Sequence, residues 1–479
     1  MYDKFGQFIN GKWIKSSSGE TYEVINPATE EIIGNASKAC KEDIDKALQS
    51  AKKGFEIWKN TSPWERSRII RKISDLMRKK NETLAKWLTL EVGKPINEAI
   101  GEAKGSADIF EWSSEEAKRI YGETLQGRTA DTRIHVYYQP VGVVAALIPW
   151  NFPITLASRK ISTALSAGCS VIVKPDVITP GAVMELVDIC NEAGVPPGVV
   201  NLLSGDPAYV TNELLSSDII KKVSITGSTR VGKLILKKAA EKVQRVTMEL
   251  SGHSPFIVFD DVDLDKVTDL AIFAKFRNNG QVCISPSRFY IHENKKEDFT
   301  KLLVQKTKKL KIGNGLDKNT VLGPLTTKKR LEEVENLVET TKKEGAKILF
   351  GGKKPAGFNK GYFYEPTIFD NVKDNYTIMK QEPFGPLVPI LSFNNFDEVI
   401  KRANDNVLGL ASYIYTNNLE QAHRASELME TGTVAVNTGV VALPEAPFGG
   451  IKQTGYGREG GSMAIKDYLN IKYTHLGLQ

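Results

Sequence analysis

At 479 residues the chain is too long for one simple core, and two or three domains are expected. Its 41% apolar and 25% charged residues are those of an ordinary soluble globular protein, which disfavours a membrane protein. The net charge of +7 comes from scattered Lys and Arg rather than a basic block, so nucleic acid is not an expected partner. Cys40, Cys169, Cys190 and Cys283 show neither CxxC spacing nor pairing with His. That disfavours zinc and redox motifs, predicts no metal site, and fits a reducing compartment. The amino terminus carries no apolar signal core, and the longest apolar run, 141–150, is short and broken by Gly and Pro. A cytoplasmic location is expected.

Helical patterns run over 41–58, 63–80 and 97–119. From residue 141 short β-branched runs alternate with amphipathic stretches. Strands are expected at 141–147, 170–174, 199–203 and 222–226, with helices at 154–166, 181–193 and 231–241. This rhythm implies parallel strands with helical crossovers, a doubly wound α/β domain. After Gly252 it starts again, with strands at 256–259 and 288–292 and helices at 264–276 and 295–310, so a second α/β domain begins near that point. The lysines of 306–311 alternate with apolar residues and read as a solvated helix face. Two alternating segments, 133–138 and 468–473, fit neither domain and need strand partners.

The most informative stretch is 276–283, FRNNGQVC, which sets a lone cysteine after an Asn/Gly turn at the end of a helical pattern. A free cysteine is normally a buried structural residue, and Cys40, Cys169 and Cys190 keep that reading. Upstream, Glu249 ends an apolar strand-like run between Met248 and Leu250, where desolvation should raise its pKa. A thiol and a carboxylate on separate loops can form a thioester and then hydrolyse it. No GxGxxG is present. Instead 225–232, ITGSTRVG, follows a strand and opens a helix where main-chain N–H groups can receive a pyrophosphate. Gly227, Gly232 and Lys233 also nearly match a triphosphate loop, but Leu234 replaces the hydroxyl that would bind Mg²⁺.

The words at 149–153 (PWNFP), 174–175 (KP), 276–283 and 382–386 (EPFGP), in this order, closely resemble the aldehyde dehydrogenase superfamily over residues 8–473. The resemblance implies two doubly wound parallel-sheet domains plus a β oligomerisation flap. The cofactor-binding domain would comprise 1–118 and 140–251, the catalytic domain 252–445, and the oligomerisation segments 119–139 and 446–479. A homodimer or homotetramer is implied. So are Cys283 as nucleophile, Asn151 with the Cys283 main-chain N–H as oxyanion donors, and Glu249 as general base. Retention of Glu249 argues against release of the thioester to coenzyme A.

The same resemblance implies cofactor contacts at Pro149, Trp150, Lys174, Pro175, Asp176, Val177, Gly227, Ser228, Leu250, Glu382 and Phe384. Many NAD-preferring members carry Glu three residues after the lysine, and here Val177 stands there. Removing that anion removes repulsion toward a 2′-phosphate, so NADP is favoured, with NAD possible and Asp176 the residue that could reverse the preference. Arg159 and Arg277 resemble the pair that binds the distal carboxylate in succinate semialdehyde dehydrogenases, an aldehyde substrate suited to guanidinium forks. The C-terminal 446–452 and 457–460 are similar to the same branch. Its substrate-loop hydroxyl is missing near Ala442 and Leu443, and Ser285 replaces the second cysteine of a redox switch. The 443–446 wording also resembles 2-oxoglutarate semialdehyde dehydrogenases; glyceraldehyde and broad aliphatic aldehydes are further alternatives.

Overall fold

A computed structural model describes residues 2–478. The first sheet has eight strands. Its inner five, Val200–Leu202, Ser170–Lys174, Val143–Leu147, Ile220–Thr226 and Arg245–Glu249, run parallel. Val143–Leu147 and Ser170–Lys174 are buried at every position, as strands covered by helices on both faces must be. Antiparallel strands close the edges: Gln7–Ile9 with Lys12–Ile14 on one side and Gly455–Tyr456 on the other. Pro63, Pro153 and Pro180 stand at the starts of the helices Pro63–Lys79, Pro153–Ala167 and Pro180–Glu192, where a missing N–H costs nothing.

The second sheet has seven strands ordered Lys347–Phe350, Thr367–Asp370, Leu387–Phe393, Pro286–His292, Ser254–Val258, Ala411–Tyr415 and Thr433–Val436. All its pairings are parallel except the first. A third, antiparallel sheet joins Glu123–Gln126, Thr132–Pro140 and Leu469–Gly477, with Ile471 opposite Tyr138 and Tyr473 opposite Val136. Ile471 and Tyr473 are 71% and 68% exposed, so this sheet presents an uncovered apolar surface.

The structure adds detail at three points. Within the expected oligomerisation segment 446–479, Gly455–Tyr456 extends the first sheet and Leu469–Gly477 enters the third. The expected helix at 295–310 ends at Thr307, and Lys306 is not a solvated face residue but pairs with Asp265 and Asp269 of the Leu264–Phe276 helix. A further helix, Asn81–Val92, carries no periodic signal because Leu84, Ala85, Trp87, Leu88 and Leu90 are buried around its whole girth.

Candidate active site

The cysteine loop is held in an uncommon conformation. Asn278, Asn279 and Gly280 have φ of 46°, 55° and 74°, three successive left-handed residues. Asn tolerates this region better than most side chains. At Gly280 a Cβ would sit 2.3 Å from the Gly385 oxygen, so only glycine fits. The loop is pinned from outside: the Asn278 N–H donates to Glu98 at 2.8 Å, Asn279 Nδ2 to Gly323 O at 3.0 Å, and Thr326 N to Gln281 Oε1 at 3.0 Å. Cys283 emerges half-buried, and its main-chain N–H has no acceptor among the described residues. Burial pushes its thiol up to about 12, helped by the negative charges of Glu382 and Glu249 and opposed by Arg277 and the Ile284 N–H.

Glu249 ends the Arg245–Glu249 strand, 1% exposed, and neither carboxylate oxygen has a hydrogen-bond partner among the described residues. Burial drives its pKa well above the ordinary carboxylate range; Glu459 raises it further, while Lys160, Arg159 and Arg458 oppose the shift. The approach to the cysteine is close. A Cβ on Gly252 would fall 2.1 Å from the Cys283 oxygen. Asn151 is buried at the start of the Pro153–Ala167 helix and donates through Nδ2 to Gln281 O at 3.1 Å.

Cys283, Asn151, Phe152, Arg159, Arg277 and Phe448 line one cavity of about 710 Å³. Arg159 is 4% exposed, donates to Glu459 O at 3.3 Å and Leu443 O at 3.5 Å, and stacks on Phe448. Arg277 lies 4.9 Å from the Phe152 ring, and its guanidinium makes no hydrogen bond to the described residues.

Most of the expected cofactor residues follow the carboxyl ends of first-sheet strands, whereas Glu382 and Phe384 precede the Leu387–Phe393 strand of the second sheet. Ser228 caps the Thr229–Ala240 helix, and Gly227 N donates to Glu249 O at 3.0 Å. Lys233, the near-match to a triphosphate lysine, turns outward to Gln453 at 2.9 Å. Leu250 packs against Gly232, and Pro175 is buried beside Lys174. The Lys174 ammonium is nearly buried, makes no hydrogen bond to the described residues, and is pushed down by burial against the pull of Asp176 and Asp206. Asp176 spends one oxygen on the Ile178 N–H at 3.0 Å, and Val177 is half-buried next to it. Glu382 accepts from the Gly252 N–H at 3.2 Å and is raised to about 7 by burial. Phe384 meets Trp150 edge-on at 5.5 Å, with Pro149 half-buried alongside. An orphaned buried ammonium, a half-buried carboxylate and an exposed helix N-terminus form a donor set that fits a dinucleotide.

Sequence reading missed two buried charge pairs. Lys160 reaches Glu459 at 2.5 Å and Thr226 at 2.7 Å, and Lys94 pairs with Glu102. Glu98 and Glu102 recur four residues apart on one helix face, which is the only local signal.

A thiol on a left-handed loop and a carboxamide share one cavity, and the unpaired buried carboxylate of Glu249 is close enough for its charge to act on that thiol; these are parts that aldehyde oxidation requires. The family model "Aldehyde dehydrogenase family" matches residues 13–474, and the chain belongs to that family. It is 42% identical to a succinate-semialdehyde dehydrogenase [NADP(+)] of Escherichia coli, over 98% of this chain and 97% of the relative. It is equally 42% identical to a glutarate-semialdehyde dehydrogenase of Pseudomonas putida, over 97% and 96%. The crystal structure of an Escherichia coli NADP-dependent enzyme superposes with a TM-score of 0.97 at 41% identity, covering 100% of this chain and 99% of that one. An NAD⁺ complex of a Bacillus cereus aldehyde dehydrogenase superposes equally well at 37% identity, covering 99% and 97%. The protein is an NAD(P)-dependent oxidoreductase acting on an aldehyde.

Proposed function

We propose that this enzyme oxidises succinate semialdehyde, or a close ω-oxo acid, to the dicarboxylic acid, with NADP preferred over NAD. The observation that carries the reading is Arg277: a guanidinium with open donors faces the same cavity as Cys283. Arg159 supplies a second cation, and together they suit a carboxylate at the far end of a short chain. The two semialdehyde dehydrogenases named above support the class of substrate, and glutarate semialdehyde shares that support.

In this reading Glu249 takes the thiol proton, because a carboxylate raised by burial can serve a thiol that burial also raises. The Cys283 sulfur adds to the aldehyde carbon, and the resulting alkoxide is met by the Cys283 N–H and the second N–H of the Asn151 carboxamide. The nicotinamide, when bound, supplies the hydride acceptor. Glu382 would hold its ribose, and Phe384 and Trp150 would supply aromatic contacts to it. Lys174 would contact the adenosine ribose, Val177 would leave room for a 2′-phosphate, and the helix start at Gly227 and Ser228 would receive the pyrophosphate. Pro149, Pro175, Asp176 and Leu250 complete the walls. Loss of hydride from the adduct leaves a thioester on Cys283; once the thiol proton has passed from Glu249 to solvent, Glu249 deprotonates the water that cleaves the thioester and the Cys283 thiolate leaves. The exposed Ile471 and Tyr473 on an edge strand support a dimer or tetramer. No helix among the described residues is long and apolar enough to cross a membrane, which together with the sparse cysteines supports a cytoplasmic enzyme. A panel of succinate semialdehyde, glutarate semialdehyde and butanal, each with NADP and NAD, tests this. Equal kcat/KM for butanal and the two acids would refute the substrate class.

A further inference from the structure

Beneath Asn151 lies a fully buried ammonium. Lys94 sits between the helices Asn81–Val92 and Ile96–Glu116, with its side chain 1% exposed. Its Nζ pairs with Glu102, donates to the main-chain oxygen of Asn151 at 3.1 Å, and lies 3.7 Å from the Phe152 ring centroid. Asn278 Nδ2 donates to the same Asn151 oxygen at 3.0 Å. One carbonyl is therefore gripped from two sides, by a residue between two helices of the first domain and by the cysteine loop. Glu102 is anchored in turn, accepting from the Thr155 N–H at 3.3 Å in the first turn of the Pro153–Ala167 helix.

We infer that Lys94, held by Glu102, is a positioning residue that sets the direction of the Asn151 carboxamide toward the reacting oxygen. Fixing the Asn151 carbonyl fixes the peptide plane that holds its Cα, and with Nδ2 tied to Gln281 O at 3.1 Å little freedom is left to the side chain between them. An oxyanion donor works only when aimed beforehand at where charge develops. A buried ion pair is a poor way to gain stability, since an apolar pair of similar volume often does as well or better. Lys94 does not line the cavity and cannot itself touch substrate there, whereas its partner Glu102 reaches the cavity wall. What its charge does that a methylene chain cannot is hold a carbonyl.

The inference rests on the reading of Asn151 as the oxyanion donor, and the test separates the two. The variant Lys94→Met/Glu102→Leu removes both charges and keeps the volume. It is measured with succinate semialdehyde and NADP, alone and in the Asn151→Ala background, for kcat, both KM values and melting temperature. The expected result is a folded enzyme with kcat lowered about ten- to a hundredfold, the scale of a donor misplaced by about 1 Å. KM for NADP should hold, and in the Asn151→Ala background no further loss should appear. Wild-type kcat in the paired variant overturns the inference, because a merely structural pair would be replaced without effect. Losses that multiply with Asn151→Ala also overturn it, while leaving Asn151 itself in place. A fully active Asn151→Ala instead removes the premise. If the paired variant does not fold, Glu102→Gln, which frees the ammonium to swing, is read against the same outcomes.

Discussion

Asn151 Nδ2 and the main-chain oxygen of Gln281 lie 3.1 Å apart across 130 residues of sequence. This bond joins the loop between the Val143–Leu147 strand and the Pro153–Ala167 helix to the loop that ends in Cys283. A carboxamide has two N–H donors, so one is spent on the loop and one is left for the substrate oxygen. Asn151→Ala is expected to lower kcat by roughly 10²–10³-fold with cofactor binding intact, as read by steady-state rates and NADP titration. An unchanged kcat would withdraw the oxyanion role.

Cys283→Ala should abolish aldehyde oxidation yet still bind cofactor, because the sulfur is needed only for the covalent step. Residual turnover above background would identify a different nucleophile.

Glu249→Gln should slow the initial burst of reduced cofactor, because the thiol loses its proton acceptor, and lower the steady rate further, because thioester hydrolysis loses its base as well. Glu249 acts when ionised, and burial raises its pKa well above 4.5. The wild-type rate should therefore fall as pH drops through a value higher than that of an ordinary carboxylate. The Gln variant should lack that limb of the pH profile, and a profile identical to wild type would assign it to another group.

Much of this site was legible because its local chemistry is written in short words. The helix Leu264–Phe276 and the turn after it follow from apolar periodicity and the Asn-Asn-Gly run. The desolvation of Glu249 follows from its apolar neighbours. The pairs Lys94–Glu102 and Lys160–Glu459 were not legible, because the second spans 299 residues and the first gains meaning only from the Asn151 carbonyl above it. The edge strand Gly455–Tyr456 has two residues, too few for any alternation to be read. Arg159 reads from sequence as a free substrate clamp, yet two of its donors face Leu443 and Glu459 carbonyls.

Val177→Glu should shift preference from NADP toward NAD, since a carboxylate there accepts from ribose hydroxyls and repels a 2′-phosphate. The change should appear mainly in cofactor KM rather than in kcat at saturation. A wild type that already prefers NAD would point to Asp176, which retains one oxygen not committed to the Ile178 N–H.

The central claim, a carboxylate clamp serving Cys283, is tested most directly by Arg277→Ala assayed on succinate semialdehyde and butanal. Arg159→Ala is the less clean variant, because it also releases the 443–459 segment. Loss of a charge-assisted contact is worth about 1.5–3 kcal/mol, or roughly ten- to a hundredfold in kcat/KM. The account predicts that loss on succinate semialdehyde and little change on butanal, which has no distal charge. Equal losses on both would contradict the clamp and leave a general aldehyde dehydrogenase in which Arg277 merely supports the cysteine loop.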